Sequence, residues 1–335
     1  MGVGGYMTYI NRNYFLSQYE DPNTIWQYLS CPEKIAYFQI NSKIPFIEGV
    51  FSDDINICLK ERETLLFLDR ASFSFYSLFY EYNFFSLVSD PEQFIYNQVH
   101  DGRIVGFNTE FTLIPNYTWY QDEKHRNSPH YSMIVGFDDT DYFVADAPNL
   151  IVSEYLQKGN ITLIEQKKLL RAFEDRCSFI TVIEKDSIIN KTVNIKNLIC
   201  LTIERFCSDP VIKDDTVIWY GKSAFERLKN LIKNNDTRLT AMGIFEGPFI
   251  ATTISGRRDL LKRCIEKYCW QNPYADPAIQ ILEQNRKSWA ILANSIQKEL
   301  IKYGKCTSVF QKFEQLYTIE KETIDVLKLF IREEK

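Results

Sequence analysis

The sequence predicts an α+β protein on two observations: the texture of its two halves, and a hairpin near the middle. Residues 1–186 mix strand-like and helical patterns, whereas residues 187–335 read as mainly helical, with Pro and Gly gathered at a few breaks. The predicted organisation is therefore a catalytic domain over 1–186 and a mainly helical domain over 187–335 that packs on the first. Ile104–Ile114 is rich in β-branched and aromatic residues and ends at the turn signal Pro115-Asn116. Tyr131–Phe137 and Tyr142–Ala145 form a hairpin around Asp138-Asp139-Thr140-Asp141, and Ser178–Glu184 is a further strand. Strands in this order imply an antiparallel sheet.

Helices are expected at Cys58–Arg70, where helix formers turn apolar toward the end, and at Thr162–Phe173. In the second half they are expected at Ala224–Lys233, Arg257–Trp270, Ala278–Tyr303 and Phe310–Ile331, with Pro273 and Pro277 separating the second from the third. Asn56 suits the N-cap of the Cys58 helix. The aromatic segments Phe73–Phe85 and Tyr117–Tyr120, the latter with Trp119 and Tyr120, read as core packing or as the lining of a cleft.

Bulk properties narrow the function. The chain has 335 residues, 45% apolar and 25% charged, as expected of a folded soluble protein. Its net charge of -5, without a Lys/Arg-rich run, argues against a nucleic-acid partner. No 18-residue apolar run predicts a membrane span, and the first residues lack the pattern of a signal peptide or a myristoylation site. Eight scattered cysteines with no Cys-x2-Cys pair argue for cytoplasmic free thiols and against a metal site.

The chemistry is concentrated in few residues. There are three histidines, His100, His125 and His130. His100 sits in a turn-like Val-His-Asp-Gly context. His130 opens the hairpin and Asp146 closes it, and an imidazole oriented by a carboxylate is the basic half of a nucleophilic triad. A three-residue loop would put Ser132 opposite Asp146, with His130 on the same face and about 7 Å away on the diagonal. A four-residue loop would reverse the parity, so the functional reading requires an odd loop or a bulge. The alternative is that Asp146-Ala-Pro only forms a turn.

The nucleophile must lie elsewhere. Cys58, at the start of its expected helix, would have its thiolate stabilised by the helix dipole and by unpaired N–H groups. Cys31 in Ser-Cys-Pro-Glu competes as a second helix-start cysteine, since Pro32 suits a first helical turn.

The order of a helix-start thiol, His130 72 residues after Cys58 and Asp146 16 residues later resembles that of papain-like enzymes. The block His130–Pro148, with its Val-Gly-Phe-Asp-Asp centre and Asp-Ala-Pro end, is similar to the His/Asp block of the double-glycine leader peptidases. Ile114-Pro115, then His125 and His130, then Gly136-Phe137-Asp138 resemble the butirosin-biosynthesis acyltransferase family. Tyr220-Gly-Lys-Ser-Ala-Phe-Glu-Arg-Leu and Gly256-Arg-Arg-Asp-Leu-Leu resemble that family's helical half. In outline the chain is also similar to the papain-like amide synthases of thiotemplated peptide assembly.

The resemblance implies a papain-like core, a helix carrying the cysteine packed on an antiparallel sheet. It also implies a cysteine-dependent acyltransferase that forms an amide from a carrier-protein thioester through an acyl-Cys58 intermediate in peptide-type natural-product biosynthesis. His130 would be the base and Asp146 its orienter. The donor would be the phosphopantetheine thioester of an acyl or peptidyl carrier protein and the acceptor an amine, with no bound cofactor. Ser52 and Leu59 stand where papain-like peptidases carry the oxyanion Gln and a small residue, which shifts the expectation from proteolysis to transfer. A papain-like cysteine peptidase or hydrolase, or an inactive papain-like binding scaffold, are the alternatives. Asn56, His125, Trp119 and Tyr120 would contribute to the oxyanion site or the cleft. Lys222, Arg227, Arg257, Arg258 and Lys262 would steer an acidic carrier protein.

Overall fold

A computed structural model describes residues 9–10, 31–40, 54–70, 80–86, 88–108, 131–145, 161–173, 178–184, 195–234, 236, 238–241, 254–303 and 309–332. The fold is mixed α+β, with two open antiparallel sheets and a mostly helical C-terminal half. The chain divides into two units, Met1–Ile44 with Ser77–Asn190, and Pro45–Tyr76 with Lys191–Lys335. The segment between residues 45 and 76 thus belongs with the C-terminal half.

In the first unit the strands are β1 (Tyr9–Ile10), β4 (Tyr80–Ser86), β5 (Val105–Asn108), β6 (Tyr131–Phe137), β7 (Asp141–Ala145), β8 (Ile161–Glu165) and β9 (Ser178–Glu184). They pair in the order β4-β9-β5-β6-β7-β8, with β1 added to β6. Among the described residues, this unit has the helices α1 (Cys31–Ile40), α2 (Pro91–His100) and α3 (Gln166–Phe173). Helix α2 begins as its sequence dictates. Pro91 takes the first turn, where its missing N–H costs nothing, and the Asp90 side chain caps the Gln93 N–H at 3.0 Å.

Helices α2 and α3 cover one face of the sheet. Ile95, Val99, Leu169 and Phe173 pack there with Val105, Phe107, Ile134, Phe137, Val144 and Phe179. The opposite face receives α1. Its Ile35 stands directly over Gly106, where a Cβ would lie 2.1 Å from the Ile35 Cδ1. A side chain at this position would force Ile35 to move from its seat on the sheet.

The second unit holds β2 (Ile57–Glu61), β3 (Leu66–Arg70), β10 (Val211–Lys213) and β11 (Thr216–Tyr220), paired in the order β10-β11-β2-β3. Its helices are α4 (Ile195–Phe206), α5 (Gly221–Lys233), α6 (Arg238–Ala241), α7 (Ser255–Tyr268), α8 (Ala275–Tyr303) and α9 (Val309–Arg332). Ile57, Leu59, Leu66 and Leu68 form the apolar face of this sheet, packed on Phe225, Leu228, Trp289, Leu292, Phe313 and Leu316. A second apolar cluster joins α4, α7, α8 and α9 through Leu198, Ile199, Leu261, Cys264, Ile265, Leu282, Leu327 and Phe330.

Between the long helices lies a buried polar network. Arg258 donates to Glu320 and, at 2.6 Å, to Asn285 Oδ1; Trp289 Nε1 donates to Glu320 at 2.6 Å; Asn285 Nδ2 donates to Thr323 at 2.9 Å. Arg258 and Glu320 are each 1% exposed, so the pair stands out of water and depends on this mutual satisfaction. At the strand–helix junction, Gly221 has φ 43° and a Cβ there would lie 2.5 Å from the Phe206 Cα. Both the dihedral and the close backbone require glycine.

The expected helix over Cys58–Arg70 is instead the hairpin β2–β3. Leu59 faces Leu68 across the pair and Glu61 faces Leu66, so the segment alternates with period two. Glu61 obscured that alternation because it occupies the core-facing side. It is buried there by Arg227, whose Nη2 lies 2.6 Å away, by Arg238 at 3.1 Å and by the Trp219 Nε1–H at 3.2 Å.

Candidate functional site

Cys58 lies in the middle of β2, between Tyr220 of β11 and Asp69 of β3. It is therefore not at a helix start, and neither a helix dipole nor free helical N–H groups act on it. The thiol is 3% exposed and burial pushes it up to about 12, outweighing the nearby Lys60 ammonium, whose effect is opposite. A thiol in this state is protonated at neutral pH, the reverse of an activated nucleophile.

Asn56 is not an N-cap either. Its Nδ2 donates to Asp54 Oδ1 and to the Thr202 carbonyl, both at 2.8 Å, and its backbone N–H donates to the same Asp54 oxygen at 2.9 Å. These bonds hold the chain entering β2 against α4. The amide is structural and is not available to a carbonyl oxygen.

The helix that does begin with a cysteine is α1, whose first residue is Cys31. Its course over the sheet follows from two anchors. Gln39 Nε2 donates to the Gly102 carbonyl at 3.1 Å, and its Oε1 accepts from the Ile104 N–H at 2.8 Å. Ile35 lies over Gly106. Moving back along α1 from residue 39 to residue 35 thus advances along the chain from Ile104 to Gly106. Four helical residues rise about 6 Å and two strand residues about 6.6 Å, so the helix runs antiparallel to β5 with nearly matched spacing. The N-terminal end of α1 therefore points toward the Asn108 end of β5. Asn108 pairs with Tyr131 on one side and Ser178 on the other.

The hairpin β6–β7 opens toward the same end of the sheet. Strand β6 starts at Tyr131, one residue after His130, and β7 ends at Ala145, one residue before Asp146. The turn is closed by the Asp138 N–H donating to the Asp141 carbonyl at 2.9 Å. Asp138 Oδ1 accepts from the Thr140 and Asp141 N–H groups at 2.9 and 2.8 Å, which lowers its carboxyl below the usual range. Phe137 faces Tyr142, so four residues connect the strands. That length alone would give the wrong parity. A bulge at Val135 adds one residue to β6, after which Ile134 faces Val144 and Met133 faces Ala145. The facing pair Met133 and Ala145 shares the side of the sheet that α1 covers at Gly106.

His130, His125, Asp146, Trp119 and Tyr120 lie outside the described residues, as do Phe73–Phe79 of the expected aromatic lining. Tyr80–Phe85 belong to the edge strand β4, where Phe84 is exposed. His100 ends α2 and stacks on Tyr96, with ring centroids 5.8 Å apart.

The basic residues expected to steer a carrier protein are mostly engaged within the chain. Arg257 and Arg258 are buried, Arg227 is bound by Glu61, and Lys262 bridges Asp259 at 3.1 Å and Glu283 at 3.0 Å. Lys222 is exposed beside Glu226. Among the described residues no His/Cys/Asp/Glu group is arranged to hold a metal, and no helix is long and apolar enough to cross a membrane. Compared with known proteins, the chain matches no family model and no curated sequence.

Proposed function

We propose that this chain is a cysteine-dependent acyltransferase with a papain-like core, forming an amide from a carrier-protein thioester through an acyl-Cys31 intermediate. His130 is the base and Asp146 its orienter. The observation that carries the reading is the convergence of three chain positions on one end of one sheet. Helix α1 starts with Cys31 and its N-terminal end points toward the Asn108 end of β5, β6 begins just after His130, and β7 ends just before Asp146. Cys31, the competing cysteine of the sequence reading, replaces Cys58 as nucleophile because it begins a helix, whereas Cys58 is buried in a strand ladder.

The Cys31 thiolate attacks the thioester carbonyl, and the donor thiol leaves with the proton of the His130 imidazolium. An amine then attacks the acyl-cysteine, His130 takes its proton, and the amide departs as Cys31 is regenerated. Thioester exchange between two thiols is close to balanced, so a thioester donor suits a thiol nucleophile. Exclusion of water from the acyl-enzyme decides between transfer and hydrolysis. The reading requires the His130 imidazole to reach the face on which Met133, paired with Gly106, lies beneath α1; simple alternation along β6 would turn it to the other face.

Incubation with an acyl-loaded carrier protein, followed by intact-mass measurement, tests the proposal. An acyl adduct is expected on the wild type and on Cys58→Ala, and none on Cys31→Ala. Alkylation of Cys31 that loses its reactivity at low pH in His130→Ala reads the thiolate–imidazolium contact directly. An adduct that survives Cys31→Ala and disappears in Cys58→Ala overturns the assignment. A wild type that takes up no acyl group from a panel of donors points instead to a binding scaffold, and peptide cleavage without an added amine to a hydrolase.

A further inference from the structure

The strands that end the two ladders are not equally protected. The three-residue β10 follows Pro210 and carries Lys213, and the five-residue β3 carries Asp69 and Arg70. Shortness, proline and charge keep such edges from pairing with other chains. Strand β4 has none of these protections. It runs for seven residues, Tyr80–Ser86, in unbroken register with β9, and contains no proline, no bulge and a single charge, Glu81. Among the described residues β9 is its only strand partner. On one face Tyr80, Tyr82 and Phe84 form a row, with successive ring centroids 5.3 and 6.0 Å apart. The row emerges from the core: Tyr80 is buried, Tyr82 half-buried and Phe84 65% exposed.

We infer that β4 pairs with the β4 of a second copy of this chain, antiparallel about a two-fold axis at Asn83. Asn83 is the central residue of the strand, so this register alone pairs all seven residues of each copy. It sets Tyr82 opposite Phe84 of the other copy, twice by symmetry, and cross-strand aromatic pairs of this kind stabilise a sheet. Glu81 faces Phe85 of the other copy, so no like charges oppose each other. The two Glu81 positions lie about 14 Å apart from strand rise and spacing, beyond the ~8 Å screening length at physiological salt. The residue pattern of β4 is thus compatible with its own reversal, a condition that a second copy imposes and an unrelated peptide does not. Seven residues a side is well below the roughly 20–30 of a standard interface, so the dimer is reversible and in the micromolar range. The inference is independent of the acyl-Cys31 reading.

Sedimentation equilibrium of the full chain over a range of concentrations tests this, with a disulfide trap to locate the contact. The mass is expected to rise from monomer to dimer as the concentration passes through the micromolar range. Phe84→Lys, a change at an exposed position, removes both aromatic pairs and is expected to raise the dissociation constant about tenfold or more. Asn83→Cys puts two thiols directly across the axis, where opposed Cα atoms lie about 4.5–5.5 Å apart, within reach of a disulfide. Mild oxidation is expected to give a covalent dimer whose linked peptides, mapped after digestion, join position 83 to position 83. Glu81→Cys, with its counterpart about 14 Å away, is expected to give none. The trap carries the test if Phe84→Lys does not fold. A wild type that stays monomeric at the highest concentration overturns the inference and leaves the edge to an extended peptide of another protein. A dimer that forms equally well in Phe84→Lys and does not cross-link at position 83 also overturns it, because the contact then lies on another surface. Neither outcome bears on acylation at Cys31, which is read separately.

Discussion

The two sheets meet their helices on different terms. In the first unit, α1 sets Ile35 on Gly106 and is fixed by the two directional bonds of Gln39, so its geometry is closely set. In the second, an apolar face is buried under several helices, and the charges that enter, Glu61, Arg258 and Glu320, are neutralised within the protein. Each unit also holds a cysteine that the sequence offered as nucleophile. Cys58 is enclosed by strand neighbours on both sides, whereas Cys31 begins a helix. The difference teaches that a thiol's chemistry follows from the element that carries it more than from its neighbours in sequence.

The largest expected effect is on the two thiols themselves. At pH 8 a thiol pushed up to about 12 is ionised to only ~10⁻⁴, so Cys58 should stay unmodified by iodoacetamide in the folded protein. Peptide mapping after brief labelling is expected to find Cys31 and not Cys58; rapid labelling of Cys58 would erase the contrast.

The next effect is on the second unit's buried charge pair. Glu320→Ala leaves the Arg258 guanidinium buried without its carboxylate and also removes the acceptor of Trp289 Nε1–H. A loss of about 3–5 kcal/mol in denaturant unfolding is expected. A loss below about 1 kcal/mol, the range of an exposed pair, would mean that water reaches the network.

Gln39→Ala probes the seating of α1 in the first unit. Removing both bonds strips the buried Ile104 N–H of its acceptor, and a loss of about 1–3 kcal/mol is expected. If α1 instead holds by apolar packing alone, the variant will melt with the wild type.

The smallest effect concerns a half-exposed network. Glu283 accepts from Arg286 at 2.7 Å and from Lys262 at 3.0 Å, and these partners hold its carboxyl down at about 2 against an ordinary 4.5. A depressed carboxyl stabilises the fold above the unfolded value and loses that contribution as pH falls from 4.5 toward 2. Glu283→Gln should therefore cost about 1 kcal/mol at pH 7, and the gap between variant and wild type should close in acid. A gap that stays constant down to pH 2 would assign the effect to packing.

Much of the fold was legible where local pattern and burial agree. Ser178–Glu184 reads as a strand from its β-branched run and is β9. Ala278–Tyr303 and Phe310–Ile331 read as helices, and they are α8 and α9; α8 begins three residues earlier than expected because Pro277 is accommodated in its first turn. Cys58–Arg70 misleads because Leu, Lys, Glu and Arg favour helix locally, while the partners that bury Glu61 lie more than 150 residues away. Thr216–Tyr220 hides within the helical half for a similar reason: it is a strand because it pairs with β2. At the candidate site the hairpin was legible and the parity requirement could be stated, but the bulge at Val135 could not be seen. The extra residue is an apolar Val among apolar neighbours, and only the pairing reveals it.

That bulge separates two properties that a regular hairpin ties together. In an unbroken ladder, changing a turn by one residue inverts every side chain beyond it. With a residue that can be taken up or released in β6, a one-residue change in the Asp138–Asp141 turn need not invert the ends of the hairpin. Turns can then diversify among descendants of such a chain by compensated insertions and deletions, each one in the turn matched by one at Val135. Tolerance of this kind lets a surface loop be reshaped for new partners without disturbing the far end of the sheet.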